Sequence, residues 1–364
     1  MIYRPNLKLF RYLYILNILI SSCSSISSSE ELSTIIIPDR IDSALYLLDL
    51  SNSINEIQLE TNEHALLGEI KDVKLLDNKL YINDGRQILV FKNNGDFVSK
   101  LGGQGGGPGE YGIVNSIAVD FNRNLFYISS VNKLIVFSTD HKLLKEKKYS
   151  MLLPYINFVN NNLLIISDET VDDTEHGFII NTNLYKLGLD LGVTDSSVIR
   201  KVTIDENRSM GYNYKYYIST DVSGDYFYKP VLSDKSIFPD TLHHLNGVKL
   251  VPYMRIVFEQ LPKLGSDGYI TPLMLNVTSS FPYIVCEYSQ DNERMLYIYD
   301  RITTKGYNLS GGVLDQNNVP VVLRPLDLIN KKFYYIKKEE YESGSKEESN
   351  PIIGIVELND LRPA

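Results

Sequence analysis

Three features of the sequence predict an all-β chain folded as a six-bladed β-propeller. Short runs of Ile, Val, Leu, Tyr and Phe start at Ile35 and are cut by Asn, Asp and Gly, with no long helical periodicity. One group of strands is followed by a second at a fixed spacing, since Tyr81 to Tyr127 and Phe91 to Phe137 are both 46 residues apart. The same grammar then recurs four more times. A period in the forties with several strands per unit is that of propeller blades, in which each four-stranded sheet buries its faces against its neighbours.

The first unit runs from Val73 to Leu101. Leu80-Tyr81-Ile82 and Ile88-Leu89-Val90-Phe91 read as strands joined by the turn Asn83-Asp84-Gly85, and Asn93-Asn94-Gly95-Asp96 turns the chain into Phe97-Val98. Asn-Gly and Asp-Gly pairs supply the positive φ that such hairpin turns need. The second unit holds Ile117-Ala118-Val119-Asp120, Leu125-Phe126-Tyr127-Ile128 and Leu134-Ile135-Val136-Phe137. Later units fall in 156–189, 226–258, 282–309 and 333–358, with room for long loops such as the Glu-, Ser- and Lys-rich 341–350. Between the first two units lies the glycine-rich stretch 101–112, whose expected task is to carry the chain from one sheet to the next. Ile35-Ile36-Ile37 has no hairpin partner nearby and is expected to join the C-terminal blade, closing the ring and hiding its sheet edges.

Ahead of the folded region, Arg4, Lys8 and Arg11 precede the apolar run 12–20, then Ser21-Ser22-Cys23. A basic start, a short apolar core and small residues describe a secretory signal, too short to span a membrane. Ile20-Ser21-Ser22-Cys23 resembles the lipobox of bacterial lipoproteins, which implies that Cys23 carries the lipid anchor. The expected organisation is a signal peptide over 1–22, lipidated Cys23 and a flexible Ser-rich tether over 23–34, and one propeller domain over 35–364. Loss of the signal removes three basic residues and no acidic ones, which moves the formal charge from −9 to −12. That balance argues against nucleic acid and against an anionic membrane surface as partners, and leaves the lipid as the membrane contact.

No catalytic set stands out. Gly107-Pro108-Gly109-Glu110-Tyr111-Gly112 satisfies G-x-G-x-x-G, but a dinucleotide site needs a following helix, and Ile113-Val114-Asn115-Ser116-Ile117 reads as strand. The five histidines show no zinc spacing, and His243 and His244, as strand neighbours, point to opposite faces. Asp172-Asp173 with Glu175 and His176 lacks the glycine and carboxylate spacing of a calcium loop and reads as a solvated turn. Neither a metal nor a cofactor is therefore expected. Cys286, inside an apolar run, is expected to be a buried free thiol. Tyr212-Asn213-Tyr214-Lys215-Tyr216-Tyr217 offers apolar rings with polar tips, suited to sugars or peptides.

Gly105-Gly106-Gly107-Pro108-Gly109-Glu110-Tyr111 resembles the G-x-G-P-G-E-Y segment of the six-bladed β-propeller lipoproteins of Bacteroidetes, relatives of NHL-repeat propellers. A second match is Asp240-Thr241-Leu242-His243-His244-Leu245 with Lys249-Leu250-Val251-Pro252-Tyr253 and Ile256-Val257-Phe258, where His243 stands in place of the family's Tyr. The resemblance implies an exported, lipid-anchored propeller of the cell envelope. The function expected from these readings is a non-enzymatic module that binds a small molecule, a glycan or an envelope protein through loops at one end of its channel. Asp84, Arg86, Glu110 and Tyr111 are its candidate binding residues. The alternative is a metal-dependent propeller hydrolase or lyase of the lactonase kind, which needs carboxylates and an Asn or His converging from several blades.

Overall fold

Six sheets, five of four strands and one of five, follow one another around the ring, and each has four antiparallel strands laid from the channel outward. The structure, a computed structural model, describes residues 32–173, 177–204, 212–231, 240–265, 270–337 and 349–359. The innermost strands of the six blades are Asp72–Leu76, Ser116–Asp120, Tyr155–Val159, Ile218–Asp221, Leu273–Ser280 and Arg324–Asp327. The signal peptide, Cys23 and most of the tether lie outside the described residues, as do the side chains at 172–176 and residues 338–348 of the acidic loop. The single helical turn among the described residues is Leu47–Leu50.

Most strands of the inner three positions are apolar on both sides because both sides are buried, as in Ile88–Lys92. In the second strand of blade one, Tyr81 points into the core shared with blade two, where it meets Phe126 and Ile128. Its neighbours Leu80 and Ile82 point the other way, into the core shared with blade six, against Tyr334 and Ile353. Each of the six blade junctions has one such core. Outer strands bury little, as the exposed run Leu143–Lys148 shows. Cys286 is a fully buried free thiol in the core between blades four and five, and burial pushes its pKa up.

The turns follow their sequences. Gly95 has φ +94, and a Cβ there would stand 1.9 Å from the carbonyl oxygen of Gln58, so no other residue fits. Residues 101–115 connect the outer strand of blade one to the inner strand of blade two, and strand, not helix, follows the glycines.

An N-terminal strand does join the C-terminal blade, but it is Ser51–Gln58, not Ile35-Ile36-Ile37. Ser51–Gln58 runs antiparallel to Ile352–Leu358 and completes blade six. The strand Ser33–Ile37, which starts two residues before the expected Ile35, instead runs parallel to Lys249–Phe258 and adds a fifth strand to blade four. The strand alternates there between core and solvent. Ile35 and Ile37 are buried in the core between blades four and five, while Ile36 is 58 % exposed. The chain then passes blade five, where the Asp42 amide donates to the Asn308 carbonyl and the Asn308 amide donates to the Asp42 carboxylate, and drives Leu47 and Leu50 into the core between blades five and six. Asn350, at the end of the acidic loop, is a buried clip. Its side chain donates to the carbonyls of Glu60 (2.7 Å) and Ala65 (2.6 Å) and accepts from the Leu67 amide (3.0 Å).

Candidate functional site

Pairings such as Asp72 with Asn83 and Arg324 with Tyr334 show that the inner strands start, and the second strands end, at one end of the ring. Crossovers between blades and the turns from second to third strand gather there. Asp84, Arg86, Glu110 and Tyr111 all lie at this end, around the crossover from blade one to blade two. Asp84 is 6 % exposed, and its carboxylate accepts from the amides of Arg86 (2.8 Å), Gln87 (2.8 Å) and Gly68 (3.1 Å). Glu110 accepts from the Gly107 amide at 2.8 Å and so folds the glycine loop onto itself. Tyr111 is buried between the blades; its hydroxyl donates to the Leu101 carbonyl (2.6 Å) and accepts from the Ile88 amide (3.3 Å). Desolvation pushes its pKa up to about 12. Arg86 is exposed, and of the four it alone turns its side chain to solvent.

The same end holds a feature whose placement periodicity could not give. Residues 212–217 lead into the inner strand of blade four, yet they touch the blade opposite. Asn213 donates to Glu69 of the approach to blade one (3.0 Å), and the Tyr216 hydroxyl reaches the Lys71 carbonyl there (3.5 Å). In a six-membered ring a residue beside blade four meets blade one only by crossing the channel. The segment is therefore a strap over the channel mouth, and its side chains engage the other blades in turn. Tyr216 and Tyr334 of blade six share a hydroxyl contact of 2.7 Å, Arg324 lies 3.8 Å over the Tyr214 ring, and Tyr217 packs on Tyr155 of blade three.

At the centre of this contact Glu287, 4 % exposed, accepts from the Tyr212 hydroxyl (2.6 Å), Arg294 (2.5 Å) and Asn276 (3.0 Å), with Arg324 at 3.7 Å. Arg294 also bonds the Tyr212 hydroxyl. Burial pushes the Glu287 carboxyl upward, but the Arg324 and Arg294 charges and the bonds from Tyr212 and Asn276 outweigh it and hold its pKa low. Burial raises the Tyr212, Tyr216 and Tyr334 phenols, so all three stay protonated. Lys215 of the strap is bonded to the Pro154 carbonyl (3.4 Å), and burial, then Lys71, lowers its pKa. Around the strap, Lys71, Lys74, Lys215, Arg294 and Arg324 outnumber Glu69, Asp72 and Glu287, a positive excess in a chain of formal charge −9. Among the described residues, no three His, Cys, Asp or Glu side chains converge closely enough to share a metal ion.

Fold and mouth together define a six-bladed β-propeller whose channel is crossed at one end by a tyrosine strap. The chain belongs to the family described as domain of unknown function DUF4934, whose model matches residues 32–357. No curated protein matches it. Among solved structures it is similar to a Bacteroides fragilis protein inferred to be exported, with a TM-score of 0.67 and 18 % identity over 90 % of this chain and 100 % of that one. At TM-scores of 0.47 and 0.46 it also resembles a gluconolactonase of Xanthomonas campestris (10 % identity; 91 % and 99 % of the two chains) and the PQQ-bound aldose sugar dehydrogenase of Streptomyces coelicolor (13 % identity; 85 % and 100 %).

Proposed function

We propose that this propeller is exported, held to the cell envelope by a lipid on Cys23, and acts without catalysis as a module that binds a small molecule, glycan or envelope protein at the strapped mouth. The observation that carries this reading is the strap itself. Tyr212, Tyr214 and Lys215 are half-buried and Asn213 is exposed, so parts of two rings and of a lysine stem, with an amide, stay open to solvent above a cationic base. Rings with polar tips on a rigid frame suit a saccharide or peptide. Arg86, exposed at the same end, extends that surface, while Asp84, Glu110 and Tyr111 hold its loops in place. Partners through nucleic acid are disfavoured by the acidic chain, and the membrane is met only through the lipid.

Site-specific photocrosslinking in cells tests the reading. A crosslinker at Asn213 is expected to capture a defined envelope component, and one at Val222, 68 % exposed on the turn at the opposite end of blade four, is not. Cys23→Ser should release the protein from the membrane fraction and abolish the product. Equal capture from both positions, or a Cys23→Ser protein that stays in the membrane fraction, would overturn the proposal.

A further inference from the structure

A cavity of about 300 Å3 lies apart from the channel, between the outer strand of blade three and the face of blade four, completed by residues 270–274 at the start of blade five. Ile199, Leu250, Ile270 and Met274 give it an apolar wall, and its polar lining includes Arg200, His243, Lys201, Lys229, Thr241 and one carboxylate, Asp240. Arg200 donates to the carbonyls of Lys229 and Pro230, and its Nε has no partner among the described residues. Nor does any described carboxylate pair with it. Asp240 is engaged by the Tyr228 hydroxyl at 2.5 Å, and the carboxylate of Asp168 is taken by Lys229 at 2.8 Å. The Nδ1 of His243 is likewise buried and unpartnered. His244, on the other face of the same strand, packs on the rings of Tyr226 and Tyr253.

The Arg200 guanidinium is bonded only to carbonyls, and the charges of Asp168 and Asp240 act on it without bonding it, so its buried Nε is a donor that costs stability until an acceptor joins it. The volume is at the lower end of the range for small-molecule sites, and an apolar wall with a few convergent polar groups is their usual make-up. We infer that this cavity binds a small carboxylate with an apolar body, its carboxylate facing Arg200 Nε with His243 beside it and its body against Ile199, Leu250 and Met274. The arrangement selects the ligand by charge at one end and by shape at the other. The site shares no residue with the strap or with the Glu287 cluster, though Tyr228 and Lys229 of its lining touch Tyr217 at the end of the strap.

Titration calorimetry of the chain from residue 24 with octanoate and 3-phenylpropionate, against octanol and octylamine, tests the inference. At least one carboxylate should bind, octanol about tenfold or more weaker, and octylamine not at all. Arg200→Gln keeps a donor for the Lys229 carbonyl but removes the charge, and should weaken carboxylate binding about tenfold or more. Should that variant fail to fold, Ile199→Phe, which fills the cavity from its half-buried wall, should block binding with an unchanged circular dichroism spectrum. Arg294→Gln at the channel mouth should leave the affinity as it was. Silence of both carboxylates, equal binding of octanol, indifference to Arg200→Gln or Ile199→Phe, or loss with Arg294→Gln would each overturn the inference.

Discussion

The hydroxyl of Tyr111 joins the carbonyl that ends one strand of blade one to the amide that begins another, and its ring fills the core beside blade two. Removing only the oxygen strands a buried donor and a buried acceptor. Tyr111→Phe should therefore lower unfolding stability by about 1–3 kcal/mol, read as a lower denaturant midpoint at unchanged slope. Asp240 makes the opposite case. Burial raises its carboxyl from 3.8 to about 6, against the bond from Tyr228 and the charge of Arg200, with His243, Lys201 and Lys229 lining the same cavity and the Cys286 thiol also close by. A folded-state pKa above the unfolded value means that the folded chain holds the proton more tightly. On this account stability is greatest below about pH 4, falls as the pH rises to about 6, and is level above. Asp240→Asn, which still accepts from Tyr228, should raise the melting temperature at pH 8, by up to ~2 kcal/mol in stability. It should do nothing at pH 4, and an equal gain at both pH values would refute the assignment. The sequence places Asp84 in a turn and Glu110 and Tyr111 in the crossover between the first two blades, where the structure has them, the latter two as a short strand paired with Gly103–Gln104. The groups they meet, such as Gly68 for Asp84, are set by chain segments that no local pattern connects.

Among elements, the second and third strands were the most legible, while the units at 226–258, 282–309 and 333–358 begin after their innermost strands Ile218–Asp221, Leu273–Ser280 and Arg324–Asp327. A strand buried on both faces reads as a continuous apolar run, as in Ile88-Leu89-Val90-Phe91. An outer strand faces solvent, so its sequence is mostly polar. Ser51–Gln58 turns only Ile57 fully inward, with Ile54 partly so, and gives no strand signal of its own. Ile35-Ile36-Ile37 reads strongly as strand, but period-two alternation says that one face is buried without saying against which blade. The strap was visible as a cluster of tyrosines and invisible as a strap. It has no regular secondary structure over 212–217, so what it crosses is decided by where blade four begins relative to blade one.

At the scale of the whole molecule, six junction cores of similar make-up form a closed cycle, and Ser51–Gln58 is the strand that closes it. In an open stack of repeats each junction contributes on its own and the ends unfold first. Closure removes the ends, so every blade is held from both sides. Ile57 is 3 % exposed, pairs with Ile353 and lies in the core between blades six and one. Ile57→Asp puts a charge in that core and should cost more than ~4 kcal/mol, whereas Leu144→Asp, on the exposed outer strand of blade two, should fall within about 0.5 kcal/mol of the parent. The location of the loss is more telling than its size. In Ile57→Asp, hydrogen exchange should quicken first in blades six and one, at the reopened seam, while blades three and four keep their protection. If protection fell evenly around the ring, the closing strand would be one outer strand among six and not a latch.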